Sequence, residues 1–456
     1  MPNRDGRSLR DRWAMGLFGR YWFRILESLW FVPGSLVVVL TALGLGIVEV
    51  DRVHGRTLQD AWPRVFAVGP EGARALLTAV ATSAITVAGT AFSITLVALS
   101  LASTQYSSRV LRNFMRDRVN QSVLGALLGI FAYCLTVLRT VRNEADLSTP
   151  TLSVLLGLLL GFCGIALLVL FIHHITTSIQ ASEILAAATR GALETVERQF
   201  PDAANCRPAP GRAPHDAQQR EWYRLRAGET GYLQRLDVAR LRRLAGRDDA
   251  VVRILPLVGD FIIEGEVIAE VSSVALPSPQ ARYAACWTIG SQRTLEQDID
   301  FGLRQLVDVA LKALSPGIND STTAVMSVNY LTAVLGRLAE RQLQHGDCVQ
   351  DGVLRVILPN VDFATLLDTA YTQIRQNARG NVCVLKRLLW SIGWLAERNR
   401  DPQRCALFMQ HARLVLDSGS EGIALADDRE QFEDEAQRLL RRLQSLEGHA
   451  GANGRA

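Results

Sequence analysis

Thr78, Thr82, Thr86, Thr90, Ser93, Ser100 and Thr104 recur at steps of three and four residues, interrupted once by Val97. At about 100° per residue these positions share one side of a helix. They lie within Ala75–Ser108, thirty-four residues without a charged side chain, and Ile85, Val87, Phe92, Leu96 and Leu99 occupy the other faces. About 20 apolar residues cross a bilayer core, so this run spans one and projects beyond it. Hydroxyls in such a helix have two uses. They permit close helix packing and bond the carbonyl one turn back, or, in an oligomer, they line a wet path and replace part of a solute's hydration. Thr82, Thr86, Thr90, Ser93, Ser100 and Thr104 are the candidate lining residues. Arg109, Arg112 and Arg116 follow on one helical face and form a candidate mouth. Their plainer role is to fix topology and meet anionic lipid; in a ring they would also attract anions.

A second polar group, Asp298, Asp300, Asp308, Asn319 and Asp320, lies around one expected helix and its exit turn. Catalysis or divalent-metal binding would require several of these oxygens to converge. A solvated helix face plus an N-cap accounts for them with fewer assumptions. The established catalytic templates are missing: there is no GxGxxG, GK[ST] loop, GxSxG or HExxH. His173 and His174 point about 100° apart on a helix and are read as an interfacial anchor rather than a metal pair. The seven cysteines are scattered without a CxxC pair, so neither a metal site nor a disulfide framework is expected. No cofactor is expected.

These residues must be held by two kinds of structure. A hydrophobic fraction of 48% over 456 residues suits a chain that is part membrane and part water-exposed. Residues 1–27 combine six arginines with Trp13, Phe18, Tyr21, Trp22 and Phe23 and read as an amphipathic interfacial segment. A membrane domain over 28–175 follows, with spans expected at Ser28–Val48, Ala75–Ser108, Val119–Leu138 and Leu147–Ile172. The last two contain Gly125-Ala-Leu-Leu-Gly129 and Gly157-Leu-Leu-Leu-Gly161, spacings that favour close helix contact. No charged residue falls inside these limits, which disfavours an ion-coupled transporter. Arginines concentrate before span one and between spans two and three, so both termini are expected on the cytoplasmic side of a bacterial inner membrane.

Residues 176–217 are expected to extend the fourth helix to about Phe200 and then form a Pro-rich linker. Residues 218–290 read as β-rich. Gly259-Asp-Phe-Ile-Ile-Glu-Gly265-Glu-Val-Ile268 is similar to the strand–turn–strand of biotinyl/lipoyl-like barrels, without a lysine to carry such a group. Residues 291–447 read as mainly helical, beginning with a capping box at Thr294–Gln297. Ser315-Pro-Gly317 ends that helix and Asn319 or Asp320 caps the next. Residues 448–456 are expected to be a disordered tail.

Two stretches carry a family resemblance. They are Phe92-Ser-Ile-Thr-Leu-Val-Ala-Leu through Ser107-Ser-Arg-Val-Leu-Arg-Asn-Phe-Met-Arg-Asp117, and Gln297-Asp298 with Gln305-Leu-Val-Asp-Val-Ala-Leu-Lys-Ala-Leu-Ser-Pro-Gly-Ile-Asn-Asp320 and Thr323-Ala324. Together they resemble an uncharacterised family of bacterial predicted membrane proteins, domain of unknown function 2254. The family usually has proline where this chain has Ser108 and Ser321. The resemblance implies an integral membrane protein with a cytosolic domain and supplies no activity.

The expected architecture is thus a four-span α-helical membrane protein with a cytosolic α+β domain, a small barrel-like β segment followed by helices. Its expected partners are membrane lipid and further copies of itself. Without a basic run interleaved with aromatics, nucleic acid is not expected. The leading functional expectation is a passive channel-like conduit. Its rivals are a membrane-tethered scaffold or sensor without a pore, and a membrane-bound enzyme using the Asp298–Asp320 region.

Overall fold

Apolar length decides the first half of the chain. A computed structural model describes residues 30–61, 69–105, 117–141, 150–200, 221–273, 279–341, 343, 348–350, 353–399 and 401–453. The expected interfacial segment, the arginine mouth and the Pro-rich linker lie outside them. The chain divides into one unit of residues 1–104 and 108–180 and a second of residues 105–107 and 181–456.

The first unit contains four helices long and apolar enough to cross a membrane: α1 (Phe31–Ala61), α2 (Pro70–Gln105), α3 (Arg118–Leu138) and α4 (Thr151–Ser178). The α3 helix is the most enclosed, burying Val123, Leu127, Ile130, Tyr133 and Val137. Both glycine pairs lie at helix crossings. A Cβ on Gly125 would stand 2.6 Å from Pro33 Cα of α1, and Gly129 faces Leu36 and Leu40. Gly157 and Gly161 of α4 give the same room to Leu77 and Val80 of α2. In a bilayer the lipid tails are as apolar as the side chains, so close backbone approach, not water exclusion, holds such pairs.

Two expectations change here. The first span does not end at Val48: α1 runs on to Ala61 and carries Asp51, only 3% exposed, within the apolar stretch Phe31–Val53. The fourth helix does not run on to Phe200. It breaks at Ile179–Gln180 before α5 (Ala181–Gln199), and the boundary between the two units falls there. Just before the break, Thr177 Oγ1 donates to the carbonyls of His173 and His174, and Thr176 Oγ1 donates to that of His173. Such side-chain bonds compete with the backbone ladder and bend helices.

The second unit has two sheets over one core. Strands β1 (Glu221–Arg226), β2 (Gly231–Leu236), β3 (Val251–Ile254), β4 (Phe261–Ile262), β5 (Val267–Ser273), β6 (Trp287–Gly290), β7 (Cys348–Gln350) and β8 (Val353–Ile357) form a five-stranded sheet β1-β5-β3-β8-β7 and a three-stranded sheet β4-β2-β6. All pairs are antiparallel except β3 with β8. Leu233, Leu236, Val252, Ile254, Ile262, Ile268, Val271 and Val356 fill the shared core, together with α6 (Val238–Arg247). The sheets do not close into a barrel. The two arms of the lipoyl-like phrase part company, because β4 pairs with β2 whereas β5 pairs with β1 and β3. The phrase crosses between sheets and does not form a hairpin.

A short helix α7 (Pro279–Tyr283) precedes β6, and the rest is helical: α8 (Ile299–Ala313), α9 (Ser321–Ala339), α10 (Phe363–Asn377), α11 (Val382–Arg398), α12 (Cys405–Gly422) and α13 (Ala426–Asn453). The last continues past Gly448, where a tail was expected. The Thr294–Gln297 capping box does not form. Asp298 is the N-cap of α8, accepting from Phe301 N at 2.9 Å. Gln297 instead clips the backbone of Leu236 on β2, accepting from its N–H at 2.8 Å and donating to its carbonyl at 3.1 Å.

Candidate functional site

In the first unit α2 has two unlike faces. Alanines 73, 81, 84, 88, 91 and 98, with Leu77, are buried in cores shared with α3 and α4, and Ala102 is buried as well. On the other side Thr82, Thr86, Thr90, Ser93, Ser100 and Thr104 are all exposed. Their hydroxyls are held along the helix: Thr86 donates to Thr82 O at 2.7 Å, Thr90 to Thr86 O at 3.0 Å, Ser93 to Gly89 O at 3.0 Å and Thr104 to Ser100 O at 3.1 Å. A hydroxyl that donates backwards keeps its lone pairs outward, so the face offers acceptors. The alanine stripe uses the inner face, and among the described residues of this unit nothing covers the hydroxyl stripe. Thr95, off the stripe, is half-buried and donates to Ala91 O at 2.8 Å.

Both ends of the bundle hold polar contacts that sequence reading missed. At one end the Asp51 carboxylate accepts from Leu152 N at 3.1 Å, Ser153 N at 2.8 Å and Ser153 Oγ at 2.5 Å. Pro150, at the cap position of α4, supplies no side-chain bond, so Asp51 caps that helix from another span. Tyr133 Oη donates to Ser153 O at 2.8 Å beside it. At the other end, Asp117 accepts from Val119 N at 2.9 Å as the N-cap of α3 and pairs with His174 of α4. His174 therefore ties two spans together. The signal for Asp117 was an acid just ahead of an apolar run, at the start of a helix; nothing local marked Asp51, whose partners lie 102 residues on.

In the second unit the expected acidic group separates. Asp298 opens α8, whereas Asn319 and Asp320 stand beyond its far end, about 20 Å along a helix of 15 residues. Asp320 is the N-cap of α9, accepting from Thr323 N at 3.0 Å and Thr323 Oγ1 at 2.5 Å. Asn319 takes the left-handed backbone, φ +50°, between the two helices. Asp308, in the middle of α8, belongs to neither end. Among the described residues, no three His, Cys, Asp or Glu side chains gather as a metal site would need.

What does gather is a charge network that the sequence concealed because Arg293 was its missing member. Arg293 bonds Asp298 bidentately, both contacts 2.7 Å, and reaches Asp300 at 3.0 Å. Asp300 also accepts from Arg304 and Thr369, each at 2.7 Å. Burial opposes the Arg293 cation, but its bonds to Asp298 and Asp300 outweigh this and hold its pKa above the ordinary value. Burial pushes the Asp298 carboxyl up, whereas Arg304 and Thr369 overcome burial at Asp300 and hold it below the usual carboxylate range. Gly259, at φ +102°, passes over this pair; a Cβ there would meet Asp298 Cγ at 2.6 Å and Arg293 Nη2 at 2.8 Å.

The network floors a cleft of about 590 Å³. Leu236, Val258, Leu358 and Leu366 form its apolar wall, and Asp260 and Asp362 add carboxylates. Asp260 accepts from Leu257 N at 2.8 Å, and Asp362 caps α10. Each carboxylate here thus has a structural task. The arrangement fastens α8 to the sheets and offers a shaped surface; it does not present a free general base.

Comparison with known proteins agrees with the membrane half. Residues 26–393 match the model of a family described as "Predicted membrane protein (DUF2254)". The chain is similar to the uncharacterized protein Mb1321c of Mycobacterium bovis and the uncharacterized protein Rv1290c of Mycobacterium tuberculosis, 34% identical to each over 418 residues, 88% of this chain and 79% of each relative. No solved structure matches.

Proposed function

Because the chain belongs to the DUF2254 family of predicted membrane proteins, we propose that it is a multi-pass protein of the bacterial inner membrane whose copies assemble around their α2 helices as a passive conduit. The single observation that carries this reading is the inversion of α2. Its small apolar residues face the protein, and its hydroxyl residues face outward along the whole span. The outward side also exposes Ile85, Phe92, Leu96 and Val97, so in this reading the hydroxyl stripe meets the next copy and the apolar residues beside it meet lipid. Apposed in an oligomer, the same faces would offer oxygen acceptors to water or to a permeating solute.

The arginine distribution supports both termini on the cytoplasmic side. The second unit then lies in the cytoplasm, where its cleft can couple a stimulus to opening. Arg109, Arg112 and Arg116 would stand at the cytoplasmic mouth and bias passage towards anions.

The test is conductance of purified protein in planar bilayers, with oligomer mass measured in parallel. Thr86→Leu with Thr90→Leu should suppress the current while leaving the mass unchanged, because apolar constrictions dewet a pore. Thr95→Val, off the stripe, should conduct normally. Loss of assembly in the double variant would instead identify the face as a packing surface of a poreless scaffold. Unaltered current would remove α2 from the path.

A further inference from the structure

The α6 helix carries Arg240, Arg242, Arg243 and Arg247 in ten residues and no acidic side chain. Asp237 caps it, accepting from Arg240 N at 2.9 Å, and Val238, Leu241, Leu244 and Ala245 pack into the sheet core. The arginines are all exposed. Among the described residues Arg242, Arg243 and Arg247 make no ion pair. The carboxylates that flank the helix in sequence are already engaged: Asp237 as its cap, Asp248 with Arg282 at 2.8 Å and Asp249 with Arg355 at 2.8 Å. Like charges one turn apart weaken a helix, and a cation in its first turn opposes the dipole. Arg240 finds one partner, the Ala285 carbonyl at 3.3 Å, and Arg247 in the last turn suits the dipole, whereas Arg242 and Arg243 in mid-helix gain neither.

We propose that the outer face of α6 docks on anionic phospholipid headgroups. Guanidinium groups match phosphate oxygens bidentately. The apolar face of α6 is spent on the core, so contact is electrostatic and superficial, without insertion. The chain's own apolar helices keep a bilayer permanently within reach, which raises the effective concentration of headgroups. Two other anionic partners fit less well. No aromatic side chain lies among the arginines to stack on a base. The acidic helix of a second copy, α13, intersperses its carboxylates with Arg429, Arg438, Arg441 and Arg442, whereas a bilayer with anionic lipid carries a net negative surface potential. The inference rests on membrane location and not on the conduit, so either can fail alone.

The test places the photo-crosslinking residue p-benzoylphenylalanine at Ala239, exposed and one turn before Arg242 and Arg243. The full chain is reconstituted in nanodiscs of phosphatidylcholine, alone or mixed with phosphatidylglycerol, and adducts are read by mass. A phosphatidylglycerol adduct should form several-fold more than a phosphatidylcholine adduct. It should disappear in high salt, which screens superficial charge, and in Arg242→Gln/Arg243→Gln/Arg247→Gln protein whose melting is unchanged. Equal adducts with both lipids, no lipid adduct, or a covalent protein dimer in its place would overturn the proposal.

Discussion

Asp51 of α1 closes the start of α4 through Ser153, taking both its amide, at 2.8 Å, and its hydroxyl, at 2.5 Å. Asp51→Ala would strand the Leu152 and Ser153 amides in a buried place, at a cost of about 1–3 kcal/mol. Asp51→Asn keeps one acceptor and should lose less, chiefly the charge–dipole part of about 0.3–1 kcal/mol. Thermal unfolding in detergent should rank wild type above Asp51→Asn above Asp51→Ala. Equal melting would show that α4 does not depend on this cap.

Gly259 and Gly265 both have left-handed backbone, at φ +102° and +86°, yet their surroundings differ. A Cβ on Gly265 meets nothing within 4 Å, while one on Gly259 collides with the Arg293–Asp298 pair. Gly265→Ala should lose only the conformational part, about 1 kcal/mol. Gly259→Ala should lose about 3 kcal/mol or more, since strain and a broken buried pair add. Similar urea midpoints for the two variants would contradict the tight crossing.

Asp320 serves as a cap, so Asp320→Ala should cost about 0.5–2 kcal/mol and Asp320→Asn a few tenths. The Thr323 hydroxyl and backbone bonds hold its carboxyl below the ordinary value. Its contribution is thus present above the unfolded carboxylate pKa of about 3.9 and is lost as pH falls through the folded value. Chemical denaturation of both variants checks the ranking. An Asp320→Asn protein as unstable as Asp320→Ala would require a role for the charge beyond capping.

His411, 4% exposed, lies beside Tyr371 with Asp368 Oδ1 at 3.3 Å. Burial lowers its pKa, with Arg375 reinforcing and Asp368 opposing. The unfolded chain therefore takes up a proton before the folded one does. Stability from this residue is complete above the unfolded value of about 6.5 and declines as pH drops towards the folded value. Between about pH 7.5 and 5.5, wild-type protein should lose more urea stability than His411→Gln. Parallel pH slopes would mean that His411 titrates normally in the fold.

The membrane helices were legible because apolar length and charge avoidance are local properties of a sequence. Gly125, Gly129, Gly157 and Gly161 announced close contact, although not which span each would meet. The hydroxyl stripe is visible by periodicity, whereas the alanine stripe opposite it is not, since alanine reads as neutral in an apolar run. Asp51 falls outside the span that the sequence predicts because a charge ends an apolar window. Only the arrival of Ser153 from another span makes that position habitable. Likewise Asp298 and Asp300 stood out as acids, but their role depends on Arg293 and on the passage of Gly259. Gln297, expected to reach back along its own helix, found a strand backbone that no local rule could place beside it.

The bond between Asp51 and Ser153 also sets an order of events during synthesis. Its partners are 102 residues apart, so at about 5–20 residues per second the carboxylate is made roughly 5–20 s before the amides that receive it. Through that interval the buried place that the Asp51 side chain finally takes does not yet exist, because its donors are still to be made. The first span can therefore complete its packing only when the start of the fourth helix has emerged, and one end of it waits on a residue that has not yet been translated when the rest is already built.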